Sequence, residues 1–237
     1  MNYIIVQRVG EIRTDADTLE RLLTDRWSCR AYRPDPVPAS TIDRLFTIAQ
    51  RSPSWCNTQP WHLHVTRGEA TERFRAALVA HVADAGAISV PDYETPRGYS
   101  GIYQERRRES GWQLYEAVGV AKGDREASAR QSSRNYELFG APHVAIVTTA
   151  REQQAYGAVD AGIYVGALLL AAQSLGLGAI PQAALARLAP FVRDHFDIDA
   201  SRGVLLAVSF GFPDLEHPAN SYRTSRAPIA EAVTFHD

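Results

Sequence analysis

The stretch from Ala161 to Ala172, Ala-Gly-Ile-Tyr-Val-Gly-Ala-Leu-Leu-Leu-Ala-Ala, carries no charge and is closed by Asp160 before it and Gln173 after it. It is too short to cross a hydrocarbon layer of roughly 30 Å, so it reads as a helix buried in a protein core. The chain can bury it: of 237 residues, 45% are hydrophobic and 22% charged, an ordinary globular composition. Lys and Arg number 25 against 27 Asp and Glu, a formal net charge of -2. No global field exists to hold nucleic acid or an anionic membrane as a partner, which leaves room only for a local basic pocket. Met1-Asn2-Tyr3-Ile4-Ile5-Val6 lacks the regions of a secretory signal, so the cytoplasm is the expected address. Cys29 and Cys56 have no Cys-x-x-Cys spacing, and two reduced thiols are expected, with neither a disulfide scaffold nor a zinc module.

Leu19, Leu22 and Leu23 share one face of a short helix, and Ile42, Leu45, Phe46 and Ala49 repeat that spacing after a cap at Ser40 or Thr41. Between them Pro34, Pro36 and Pro38 favour an extended connection, which puts the arginines of Arg26-Trp27-Ser28-Cys29-Arg30 on a loop. Trp61 to Thr66 has strand character and Ala70 to Ala83 returns to helix. From 84 to 135 the composition shifts to a proline- and glycine-broken stretch and then a charged helix, Tyr103 to Val120, which reads as an insertion or lid. His143 to Thr149 is a buried strand, Tyr156 to Leu175 a long apolar helix ended by Gly176, Leu185 to Val192 another helix, and Gly203 to Phe210 a further strand. The remainder, 212–237, has little amphipathic pattern and is expected to run extended over another surface, such as a second subunit. Strands alternate with helices throughout, giving one α/β unit with a lid.

No dinucleotide Gly-x-Gly-x-x-Gly, phosphate loop or His-Glu-x-x-His is present, and no metal site is predicted, because His62 and His64 on one strand fit a structural role. Three segments carry other chemistry. Arg26, Ser28 and Arg30 put two cations and a hydroxyl on a short loop, chemistry suited to a small phosphate, although such a loop by itself is more often a solvated surface. Asn57 and Gln59, framed by Pro53, Pro60, Trp55 and Trp61, suit a planar ligand with polar edges or a proline-stiffened turn before a strand. Gly176-Leu177-Gly178 through Pro181, Gln182, Ala183 and Ala184 leaves backbone donors approachable, or is a plain helix stop followed by a strand.

Taken in order with the tail Tyr222-Arg223-Thr224-Ser225-Arg226, these segments resemble the flavin-dependent nitroreductase family, over Leu19 to about Val233. The Arg-x-Ser-x-Arg loop is similar to the family's first phosphate-binding element, and Pro53-Ser54-x-x-Asn57-x-Gln59-Pro60-Trp61 is the most specific signature. The resemblance implies an α+β fold of three layers (α/β/α), a mixed sheet flanked by helices, the lid at 84–135 and an arm at 212–237 exchanged in a homodimer. Two FMN sites are then expected between subunits. Arg26, Ser28, Arg30 and Arg226 are expected to hold phosphate and ribityl oxygens, with Arg223 and the neighbouring Trp27 beside them, and Asn57 to meet the pyrimidine edge. Pro53, Ser54 and Trp55 would come from the other subunit, Gln59 would support Asn57, Pro181 and Gln182 would pack on one ring face, and the N–H groups of Ala183 and Ala184 would face N5 and O4. Trp27 stands where many members carry a basic or imidazole side chain, and Ala183 where some carry Glu. In the lid, Tyr103, Arg107, Trp112 and Tyr115 are the expected substrate contacts.

The implied activity is ping-pong reduction of a nitroaromatic, quinone or similar electron-poor small molecule by NAD(P)H, with no residue assigned as a general acid. The same fold also admits reductive dehalogenation or alkene reduction, and a flavin-binding sensor without turnover.

Overall fold

Strand formation follows the apolar runs, and the four strands of this computed structural model lie in one sheet. They are β1 (Trp61–Val65), β2 (His143–Ala150), β3 (Gly178–Gln182) and β4 (Arg202–Gly211), in the spatial order β1-β2-β4-β3. The structure describes residues 14–84 and 89–236; the opening Met1 to Val6 and positions 85–88 of the insertion lie outside the described residues. The three ladders are antiparallel, and among the described residues the parallel pairing of the expected mixed sheet is the isolated bridge from Ser28 to Ala179.

Central strand β2 is buried on both faces, and its alternation sorts two cores. Ala145 and Val147 point to one side, against α2 (Ala39–Ala49) and α6 (Gln154–Ser174). Val144 and Ile146 point to the other, against α3 (Glu69–Ala83) and the short helices α7 (Ala183–Ala186) and α8 (Ala189–Phe196). Helices on both faces of the sheet make the expected three layers. Full burial of a side chain such as Ile146 contributes about 1.5–3 kcal/mol, so this alternation fixes the register. Three helices remain outside these cores: α1 (Asp15–Asp25), α4 (Gly101–Ala117) and α5 (Arg125–Ser133).

Helix α6 contains the uncharged stretch and ends where Gly176 adopts φ 72°, a left-handed turn that glycine permits without strain. By length and composition alone 151–174 reaches the span of a membrane, further than the stretch 161–172 suggested, and half of that window is buried within the chain. Four other expectations need correction. Helix α2 starts at Ala39 with Pro38 at its cap and no side-chain cap, because the fixed proline φ already leads into the helix. The helix expected from Leu185 to Val192 is two, with Pro190 in the first turn of α8. Helix α5 was invisible in the pattern because it has no apolar stripe; the Asp124 carboxylate caps it by accepting from Ala127 N–H at 2.9 Å. The tail does not leave its own chain at once: a turn at Pro218–Asn220 buries Ala219 and Asn220.

Candidate cofactor site

The Arg-x-Ser-x-Arg loop leaves α1 in extended conformation, so alternate residues share a side. Cys29 turns inward and is fully buried, its N–H donating to Ala179 O at 3.2 Å, while Arg26, Ser28 and Arg30 are half-buried on the outer side. The loop can lie this close to β3 because position 178 is glycine: a Cβ there would stand 2.6 Å from Cys29 Sγ. Tyr32 completes the anchor, its hydroxyl donating to Cys29 O at 3.1 Å and Ser209 O at 3.0 Å.

The tail closes over this loop. Arg26, Ser28 and Arg30 line a cavity of about 600 Å³ together with Tyr222, Arg223 and Arg226, and among the described residues no carboxylate lines it. Burial, and after it the nearby Arg226 guanidinium, lowers the Arg26 pKa. Arg226 Nη1 donates to Thr224 Oγ1 at 3.0 Å and Arg223 Nη1 to Asn220 O at 2.9 Å, which hold both near the cavity. Trp27 offers its ring to Arg223, whose guanidinium carbon lies 4.2 Å from the ring centroid. The Tyr222 hydroxyl is buried without a hydrogen-bond partner.

A second cavity of about 240 Å³ shares Arg30 with the first and is walled by Pro181, Gln182, Ala183, Tyr115 and Asn135. Gln182 contributes as wall only. Its amide is committed, Nε2 donating to Asn135 O at 2.8 Å and Oε1 accepting from Ser209 Oγ at 2.6 Å. Ala183 opens α7, which has no side-chain cap, whereas Ala184 packs into the core and lines none of these cavities. Of the expected lid residues, Arg107, Trp112 and Tyr115 line a cleft of about 910 Å³ with Arg30 and Lys122. Tyr103 does not join them: it is 66% exposed, because its position on α4 points away from that cleft.

The segment Pro53 to Gln59 lies elsewhere on the same chain and lines none of these cavities. Asp160, buried on α6, accepts from Trp55 N–H at 3.1 and 3.2 Å, and the Trp55 ring meets Tyr156 edge-on at 4.2 Å. Ser54 Oγ accepts from Gln59 N–H at 2.9 Å, and Gln59 Nε2 donates to Asn57 Oδ1 at 3.1 Å, so Gln59 does hold Asn57. Positive φ at Cys56, Asn57 and Gln59, 49°, 56° and 47°, presents this loop outward. His62 and His64 pack ring to ring at 4.9 Å, and among the described residues no group of three or more His, Cys, Asp or Glu could hold a metal. Both cysteines are free thiols.

Sequence reasoning missed Asn220, Ser110 and Asn135, and gave Tyr222 no role beyond its place in the tail motif. Asn220 is the most consequential: its carboxamide accepts from Arg30 N–H at 2.8 Å and donates to Ala31 O at 2.9 Å and Asp214 O at 2.7 Å. The proline before Ala219-Asn220 was the available signal, marking a fixed turn in a tail otherwise without pattern.

The Nitroreductase family model matches residues 23–212, from the end of α1 through β4. The chain belongs to the nitroreductase family. It is 36% identical to "Nitroreductase NfnB" of Mycolicibacterium smegmatis over 221 residues, 93% of this chain and 93% of that protein. It is 33% identical to a "4-nitrobenzoate reductase" of Nocardioides sp. over 222 residues, 92% of this chain and 90% of that one. The crystal structure of the FMN-dependent nitroreductase NfnB from Mycobacterium smegmatis in complex with NADPH superposes with a TM-score of 0.88 at 35% identity, covering 94% of this chain and 99% of that. For this family member, the acid-free arginine cavity and the unpartnered Tyr222 hydroxyl fit the phosphate end of a flavin nucleotide.

Proposed function

We propose that this nitroreductase-family protein is a homodimeric FMN enzyme that uses NAD(P)H to reduce nitroaromatic, quinone or similar electron-poor acceptors. The observation that carries the proposal is the convergence of Arg26, Arg30, Arg223 and Arg226 on one cavity without a carboxylate. Arg26, Ser28, Arg30 and Arg226 hold the FMN phosphate and ribityl oxygens, and Arg223 supports them from its seat on Trp27. When bound, FMN supplies the hydride and electron transfer between donor and acceptor. Pro181 and Ala183 wall the space beyond Arg30, where the Ala183 N–H at the uncapped start of α7 is the donor this chain offers to a ring edge. Trp112 and Tyr115 cover the space beside it and limit access of water.

The homodimer reading rests on apolar surface that the chain leaves exposed. On α6, Tyr156, Val159 and Ile163 are 57%, 55% and 43% exposed at helical spacing, and on α1 Leu19 and Leu23 are 51% and 52% exposed. Trp55 stands on this same face through Tyr156. A second copy seated there covers the stripe and carries its own Pro53, Ser54, Trp55 and Asn57 toward the flavin. The last apolar residues of the tail, Ile229, Val233 and Phe235, are exposed as an arm reaching over a partner requires.

Anaerobic reduction is the test. Purified protein supplied with FMN is expected to be yellow, to bleach with NADPH and to regain colour with 4-nitrobenzoate. Colourless protein after reconstitution contradicts the proposal; bound flavin that NADPH leaves oxidised would favour the binding-only alternative.

A further inference from the structure

Helix α4 sorts its charges by face. Glu105 and Glu109 turn toward the tail, where Glu109 accepts from the Ser225 hydroxyl at 3.0 Å and Arg106 pairs with Glu231 at 2.6 Å. Arg107 and Arg108 line a different cleft, the one of about 910 Å³, together with Trp112, Tyr115, Lys122 and Arg30. Helical spacing accounts for the grouping, since 107, 111 and 115 share a stripe and 108 and 112 lie beside it. Among the described residues no carboxylate lines this cleft. It shares Arg30, Gly111, Leu114, Tyr115 and Asn135 with the smaller cavity walled by Pro181 and Ala183, so the cations border the space next to the proposed flavin ring. On the outer side Arg107 lies over the Tyr99 ring at 5.8 Å and helps line a further cleft with Arg97 and Arg187, again without a carboxylate.

Cations facing one cleft repel each other until an anion enters. Resting on the FMN reading above, we infer that Arg107, Arg108 and Lys122 form one oxyanion subsite that both reaction partners use in turn: a phosphate of the nicotinamide donor, then a carboxylate of an aromatic acceptor. Guanidinium N–H groups suit either oxyanion bidentately, and the lysine adds a mobile point charge. The Trp112 and Tyr115 rings, 6.1 Å apart at 75°, give the aromatic part of the acceptor an apolar wall. The groups this subsite reads are the extra phosphate that separates NADPH from NADH and the carboxylate that separates 4-nitrobenzoate from nitrobenzene.

The test compares wild type with Arg107→Gln/Lys122→Gln and with the charge-keeping Arg107→Lys, each matched for flavin content by absorbance. The double variant is expected to lose about tenfold in the kcat/KM preference for NADPH over NADH and for 4-nitrobenzoate over nitrobenzene, while Arg107→Lys keeps most of both. Calorimetric titration with NADP⁺, NAD⁺ and benzoate needs no turnover: NADP⁺ and benzoate should weaken in the double variant and NAD⁺ much less. A flavin-free wild type counts against the FMN reading alone, and the titration still decides the subsite. A loss confined to one ratio overturns the sharing and leaves the subsite to that one partner. Unchanged ratios and unchanged affinities overturn the inference entirely.

Discussion

The backbone N–H of Arg30 donates to the carboxamide oxygen of Asn220 at 2.8 Å, joining the arginine loop to the tail across 190 positions of sequence. The same side chain donates to Ala31 O and Asp214 O, and it is 3% exposed. Asn220→Ala takes the partner from Arg30 N–H and Asp214 O, while Ala31 O keeps Asp214 N–H and Cys29 Sγ, so we expect a loss of about 2–3 kcal/mol in urea unfolding. FMN binding should weaken more than in Val192→Ala, which destabilises a core remote from the loop. Equal FMN affinities in the two variants would reduce Asn220 to a purely structural role.

Arg226 faces Arg26 across the cavity and has no carboxylate there to satisfy it. A charge-assisted hydrogen bond contributes about 1.5–3 kcal/mol in a sheltered site, so Arg226→Ala should raise the FMN dissociation constant roughly ten- to a hundredfold. Flavin fluorescence titration reads this directly, and added salt should narrow the gap between variant and wild type. An unchanged dissociation constant would remove Arg226 from the phosphate site.

Much of this was legible in the chain, for stated reasons. Strand β2 and the uncharged stretch of α6 announce themselves as apolar runs: Val144 to Val147 serve a core on each face of the sheet, and α6 buries one side while Tyr156, Val159 and Ile163 stay exposed on the other. Arg26, Ser28 and Arg30 were readable as two cations and a hydroxyl on one proline-followed loop, and the family resemblance supplied their expected role at a phosphate. What was hidden depends on tertiary contact. Helix α5 has no apolar face to detect, Asn220 acts on a loop distant in sequence, and Gln182 looked free for a ligand until Ser209 and Asn135 were found to hold its amide. The family resemblance grouped Tyr103 with Trp112 and Tyr115 in the lid, but helical phase turns it away from the cleft they line.

Burial pushes the Cys29 thiol from 9.0 up to about 11, with bonds to Ala31 and Tyr32 acting in the opposite sense. Below pH 9 folded and unfolded chains both keep this proton, and its contribution to stability is whole. Above it the unfolded chain releases the proton while the folded chain retains it toward pH 11, so stability falls as pH rises through that window, by about 2 kcal/mol. Urea midpoints at pH 8 and pH 10.5 should show the drop, and Cys29→Ala should flatten it. At pH 8 iodoacetamide should spare Cys29 in the folded protein and modify it once urea unfolds the chain; equal labelling of Cys29 in both states would contradict its burial.

Ile163 sits in the middle of the exposed stripe on α6. A charge there costs little in an isolated chain and a great deal inside an apolar interface. Ile163→Asp should therefore give a folded monomer by sedimentation velocity with FMN lost or much weakened, because the Trp55 loop of the second copy is gone. A dimer of wild-type stability, or a monomer that keeps wild-type FMN affinity, would place the interface elsewhere.

The most direct measurement is a crystal structure of the protein grown with FMN. The account requires the flavin phosphate within hydrogen-bond reach of Arg26, Arg30 and Arg226 of one protomer, with the ring beside Pro181 and Ala183 and the Trp55 loop of the other protomer against it. A phosphate bound away from those arginines, or a ring enclosed by one chain alone, would contradict it.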